Sequence, residues 1–153
     1  FQPERYPTLL ILDQIQNPAN LGAIIRNAAA FNIDAILTTP GSCDPYHPES
    51  IRAATSTIIQ TPIYTCDETR FNTLKITHTC YALSSHSPTT IQDINPTTHT
   101  GYIFGSESQG IITPWLKGET AISIPTQDSV ESLNLSVATG ILLYNHSQKN
   151  SKI

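Results

Sequence analysis

Residues 17 to 31, NPANLGAIIRNAAAF, decide how the chain is read. Leu21, Ile24, Ile25, Ala28 and Phe31 recur at three- and four-residue spacing, so one face of a helix is apolar and buried. Asn17 suits the N-cap, and Pro18 suits the first helical position, where its missing N–H is no loss. Gly22 lies inside this helix, where glycine costs about 1 kcal/mol relative to alanine and calls for a packing reason. Arg26 falls nearly opposite the apolar face, with Gly22 and Ala29 one turn away. For an isolated helix the plain alternative makes Asn17 and Asn20 caps and Arg26 a solvated surface residue.

Working outward, TLLIL (8 to 12) reads as a buried strand and DAILTT (34 to 39) as the next, ended by Pro40-Gly41. A loop follows over 42 to 48, then a helix from about Pro48. TPIYTC, THTCYAL, TGYIFG and TAISIP supply four further strands; residues 67 to 75 and 109 to 117 are predicted as short helices. The last helix is predicted from about Leu133 to Ser147. Strands alternating with helices imply an α/β fold, a mainly parallel sheet with helices on both faces.

The chain has 153 residues, 39% of them hydrophobic, enough for one domain with a core of its own. Cys43, Cys66 and Cys80 are an odd set without CxxC spacing, which fits reduced thiols in a cytoplasmic protein. No apolar run reaches membrane-spanning length, so no membrane partner is expected. Net charge is −4 with eight Lys and Arg, which taken alone argues against nucleic-acid binding, DNA included.

Three polar stretches each follow a strand: DQIQNPANLGAIIRN, GSESQG and IPTQDSVESLNLS. In a parallel sheet ligands collect at the carboxyl ends of strands, so the three are expected to converge on one site. GSESQG puts Gly105 after an apolar strand, then Glu107, then Gly110, and two glycines allow close backbone approach to a ligand. Taken alone, that pattern is better explained by an ordinary strand-to-helix turn, and it is not a dinucleotide fingerprint. In the third stretch Ser132, Asn134 and Ser136 alternate with Leu133, Leu135 and Val137, and Ser132 is the expected N-cap of the last helix. The five histidines are scattered, Cys43 and His47 form a close Cys/His pair, and no metal site, GxSxG elbow or P-loop is expected.

Taken together, the three stretches resemble the signature motifs of the SpoU (TrmH-like) family of RNA 2′-O-ribose methyltransferases, of the SPOUT superfamily. Asn20, Gly22 and Arg26 match its N-x-G-x-x-x-R pattern, GSESQG its G-x-E-x-x-G motif, and IP…SLNLSVA its third. The resemblance covers about residues 8 to 147. It implies a C-terminal trefoil knot, a homodimer, and S-adenosyl-L-methionine as cofactor, with tRNA or rRNA as partner. It carries cofactor binding to Gly105, Ile124 and Leu133, and catalytic or substrate-facing roles to Asn20, Arg26, Glu107, Ser132 and Asn134. On this reading Arg26 faces RNA, and Gly22 leaves room for the nucleotide backbone. Arginine's pKa above 12 suits it to phosphate and alkoxide stabilisation rather than proton abstraction, and the proton acceptor stays open.

Two departures stand out. Thr126 and Asp128 replace the Met and Gly of the family's IPM-x-G, and the charge is acidic for an RNA enzyme. A non-catalytic RNA-binding module is therefore the alternative, and a basic N-terminal accessory domain outside this chain would reconcile the charge. Ile141, Leu142 and Tyr144 are the expected apolar surface of a two-fold dimer.

Overall fold

Apolar alternation builds the centre of the molecule. In the computed structural model, which describes residues 1–150, β1 (Thr8–Leu12) lies in the middle of a six-stranded sheet. It sends Leu10 and Leu12 into one core and Leu9 and Ile11 into another, as period-two geometry requires of a strand covered on both faces. Around it run β2 (Ala35–Thr38), β3 (Ile63–Thr65), β4 (Thr79–Leu83), β5 (Thr100–Phe104) and β6 (Thr120–Ile122). The spatial order is β3-β2-β1-β5-β4-β6, and every pairing is parallel. The order reverses between β1 and β5, whose carboxyl ends lie side by side in the register Leu12 to Phe104. That crevice is where a parallel sheet offers its binding site.

The helices are α1 (Pro18–Ala30), α2 (Pro48–Ala54), α3 (Glu68–Leu74) and α4 (Leu135–Asn150). Asn17 caps α1 as expected, its side chain accepting from the Asn20 N–H, and Leu21, Ile24, Ile25 and Ala28 are buried. They share a core with Leu142 and Leu143 of α4, while Phe71 and Leu74 of α3 cover the opposite face of the sheet. Asn27 ties α1 to α4 by donating to the Ser136 carbonyl at 2.8 Å.

Four expectations need correction. Gly22 does not make room for a nucleotide: it is buried, and a Cβ there would lie 2.3 Å from the Ser50 carbonyl oxygen and 2.7 Å from the Ala53 Cβ. The close approach that demands glycine is helix on helix, α1 against α2. The last helix starts at Leu135, and its cap is Asn134, whose Oδ1 accepts from the N–H groups of Ser136 and Val137 at 3.0 and 3.3 Å. Ser132 lies outside that turn. Leu142 is 1% exposed and belongs to the core; α4 instead exposes Val137, Ile141 and Tyr144. Between 109 and 117 only Pro114–Leu116 coils, as a 3-10 turn, because Ser106 and Gly110 close a tight bridged loop just before it.

Candidate functional site at the switch point

The three polar stretches do converge. Glu107, carried by the loop after β5, accepts through one oxygen, Oε1, from the Asn20 amide at 2.7 Å and the Asn134 amide at 3.1 Å. The same oxygen takes the Leu135 N–H at 3.4 Å, so the carboxylate sits on the N-terminus of α4, where the helix dipole favours negative charge. The Asn134 amide also reaches Asn20 Oδ1 at 3.4 Å. Residues 20, 107 and 134, far apart in sequence, thus form one cluster. Asn134 does two jobs: its oxygen caps α4, and its amide meets Glu107.

Two cavities meet at this cluster. The larger, about 530 Å³, is walled by the loops that leave β4, β5 and β6, with Gly105, Ile124, Leu133 and Ser132 all on its lining. Glu107 and Glu131 line it, and no lysine or arginine does. The smaller, about 140 Å³, lies on the Asn20 side, between Ile15, Gln16 and Asn17, and shares Ser106, Glu107, Ser108 and Leu135 with the first. Gly105 has to be glycine: a Cβ would come within 2.0 Å of the Gly110 carbonyl carbon, and Gly110 itself has φ +66°. The loop is folded back on itself beside the cavity, with Ser106 and Gly110 exchanging backbone hydrogen bonds of 3.0 and 2.9 Å.

Arg26 is not part of this cluster. It is exposed, lines neither cavity, and makes no ion pair or hydrogen bond among the described residues. Six residues past Asn20, it is displaced by about 9 Å along α1 and points away by about 120° at helical geometry. Ser132 reaches the larger cavity without bonding to Glu107 or Asn134.

Two features went unremarked in the sequence. Ser84, Ser85 and His86 at the end of β4 supply another wall of the larger cavity; the strand end was visible, but nothing marked its loop. Asp13, directly after TLLIL, is fully buried and accepts from Thr39 Oγ1 at 2.9 Å and from the N–H groups of Ile112 and Thr113 at 2.8 and 2.9 Å. A carboxylate closing an all-apolar strand was its only signal.

Cys66 and Cys80 lie in the core, where burial pushes both thiols up to about 12, so they are inert packing residues. All three cysteines are free, and no group of His, Cys, Asp and Glu among the described residues could hold a metal ion.

A parallel α/β sheet with a glycine-walled cavity at the carboxyl ends of its strands is the arrangement in which such sheets hold organic ligands. More specifically, the chain belongs to the SpoU rRNA Methylase family, whose model matches residues 7–144. It is 33% identical over 141 residues to an uncharacterized tRNA/rRNA methyltransferase of Synechocystis sp., covering 88% of this chain and 51% of that protein. It is 30% identical over 143 residues to the 23S rRNA (guanosine(2553)-2'-O)-methyltransferase RlmP of Bacillus subtilis, covering 89% of this chain and 56% of that one. The chain therefore spans little more than half the length of these relatives. Among solved structures, the SpoU methyltransferase AviRb from Streptomyces viridochromogenes in complex with AdoMet superposes with a TM-score of 0.89 at 22% identity, over 97% of this chain and 60% of that one.

Proposed function

We propose that this chain is an S-adenosyl-L-methionine-dependent methyltransferase that methylates a ribose 2′-hydroxyl in tRNA or rRNA. The observation that carries the reading is the Asn20–Glu107–Asn134 cluster standing between two cavities, one of cofactor size and one on the Asn20 side. The larger cavity fits the cofactor on this chain's own chemistry. Gly105 lets the Gly110–Ile111 backbone close against it as one wall, Ile124 and Leu133 offer apolar walls, and the two carboxylates suit a ligand that carries positive charge. When bound, the sulfonium supplies an electrophilic methyl group, so the chain's work is to bind, align and exclude water.

The residues divide that work. Glu107 fixes the Asn20 and Asn134 amides, and its second oxygen is left to accept from a ribose hydroxyl entering from the smaller cavity. Asn134 couples this arrangement to the start of α4. Ser132, on the lip of the larger cavity, contacts the cofactor side. Arg26 serves as an RNA-facing cation held at the surface, where a fixed guanidinium charge binds phosphate.

Assembly and threading belong to the same proposal. The exposed Val137, Ile141 and Tyr144 of α4 form an apolar strip suited to a two-fold homodimer. A trefoil knot is supported by how the chain from 120 to 150 embraces the loop between β4 and β5. Ser123 exchanges hydrogen bonds with Thr89 and Ile91 on one side, and Lys149 donates to the carbonyls of Ile91, Gln92 and Ile94 on the other. Residues 1 to 153 would act as one catalytic domain, with a basic surface on an accessory domain raising the RNA affinity that a net charge of −4 leaves low. Free thiols fit a cytoplasmic setting, and no described helix is long and apolar enough to cross a membrane.

The test is methyl transfer to total RNA, followed by nuclease digestion and nucleoside mass spectrometry. A 2′-O-methylated nucleoside that depends on Glu107 is expected. Binding of RNA without any methyl transfer would instead establish the non-catalytic module that the Thr126 and Asp128 departures suggest. A base-methylated product would refute the ribose assignment.

A further inference from the structure

We propose that Asp13 is a positioning residue that holds the cofactor-side loop and the RNA-side loop in one geometry; the inference rests on the methyltransferase reading above. Its carboxylate has no exposure and faces no cation, the one ion pair among the described residues being Lys75–Glu119 on another part of the surface. A buried charge is tolerated only where hydrogen bonds replace its water. Asp13 has four such donors: the Thr39 hydroxyl, the Ile112 and Thr113 N–H groups, and the Thr113 hydroxyl.

Those donors join three segments, adding to the Asp13 N–H bond to the Phe104 carbonyl at 2.8 Å and the Asn20–Glu107 bond at 2.7 Å. Ile112 and Thr113 directly follow Gly110 and Ile111, whose backbone packs on Gly105 beside the larger cavity. Asp13 itself opens the β1–α1 loop, which leads to Asn17 and Asn20. Thr39, at the end of β2, relays the contact: it donates to Asp13 and accepts from the Gln14 N–H at 3.0 Å. Gln14 is held at φ +51°, a conformation that non-glycine residues adopt at a cost and that persists only where surroundings enforce it. A strained residue next to a fully satisfied buried carboxylate, at the strand switch point, marks a loop whose position matters. The loop it anchors contains Gly105 and Gly110, so its own backbone preference is weak. One carboxylate thus sets both the wall of the cofactor cavity and the reach from Asn20 to Glu107.

An ionised carboxylate only accepts, and asparagine would turn an NH₂ toward at least one of these donors. Asp13→Asn should therefore weaken S-adenosylmethionine binding to the intact protein, measured by calorimetry, by about tenfold or more. Thr39→Val should weaken it about threefold, and Thr39→Ser, which keeps the hydroxyl, should restore it. Leu74→Ala, a core truncation on the opposite face of the sheet, is the stability control and should leave affinity within about twofold at a temperature where all variants are folded. If Asp13→Asn does not fold, the Thr39 pair carries the comparison. Wild-type affinity in Asp13→Asn and Thr39→Val, or an equal loss in Leu74→Ala, would overturn the proposal. If the wild-type protein bound no cofactor, the methyltransferase reading would fail on its own, and hydrogen exchange would decide the role of Asp13. Faster exchange confined to residues 105–113 in Asp13→Asn supports positioning; uniform acceleration across the β1–β2 ladder refutes it.

Discussion

Replacing Gly22 with alanine separates two explanations of the same residue. A Cβ at this position would stand 2.3 Å from the Ser50 carbonyl oxygen, 2.7 Å from the Ala53 Cβ and 3.0 Å from the Ser50 carbonyl carbon. Ordinary contact needs roughly 1 Å more to the oxygen, and the obstacle is helix backbone that cannot rotate aside. Helix α2 must move away from α1, breaking contacts along a seam where the Ser50 hydroxyl also donates to the Pro18 carbonyl at 2.9 Å. Overpacking of this kind costs about 1–3 kcal/mol, and alanine's better helix propensity returns about 1 kcal/mol. The net is a loss of up to about 2 kcal/mol, or a fall in Tm of up to about 4–8 °C for a domain of this size. Thermal unfolding followed by circular dichroism reads it directly. An unchanged or raised Tm accompanied by a selective loss of RNA affinity would refute the helix-packing explanation and return Gly22 to the nucleotide.

Three further outcomes are expected. Gly105→Ala forces a Cβ into the Gly110–Ile111 backbone and should abolish cofactor binding by calorimetry with little change in fold; retained binding would mean that this loop does not wall the cofactor site. Arg26→Ala should lower turnover by about 100-fold or more while leaving cofactor affinity unchanged, because Arg26 lines neither cavity; loss of cofactor affinity with RNA binding intact would refute its RNA-side role. Burial lowers the pKa of His146 and of His78 below the ordinary 6.5, against an opposing pull from Asp34 on the first and from backbone bonds on the second. The unfolded chain then binds protons more readily, so the stability contributed by these neutral rings is full above 6.5 and is lost as pH falls toward the depressed values. Tm should therefore drop between pH 7 and 5, less so in His146→Gln, and an identical pH profile in that variant would remove His146 from the account.

Local chemistry in the sequence determined a good deal. Leu21, Ile24, Ile25 and Ala28 recur at helical spacing because one helix face must leave water, and Asn17-Pro18 marks the start because the first N–H groups of a helix need an acceptor or none at all. TLLIL and TGYIFG are mostly apolar because both faces of their sheet are covered, and the alternation of strands with helices implied parallel strands with a crevice at their carboxyl ends. Gly105 and Glu107, read as following an apolar strand, lie in the loop after β5 and line the larger cavity.

What depended on the tertiary structure was every choice of partner across the fold. The neighbour that makes Gly22 glycine is an α2 carbonyl 28 residues on, as far from view in the sequence as any nucleotide. Asn134 rather than Ser132 caps α4 because the chain enters that helix beside Glu107, which draws the same side chain in. Leu142 is buried because α4 packs against both the sheet and α1, so one strip of its apolar residues faces inward and Val137, Ile141 and Tyr144 are left outside. Asp13 looks like a loop residue until residues 39, 112 and 113 arrive around it. Periodicity and capping act over a few residues and can be read along the chain; close approach, charge burial and the convergence of three loops arise only when a parallel sheet reverses its order and brings the ends of β1 and β5 together.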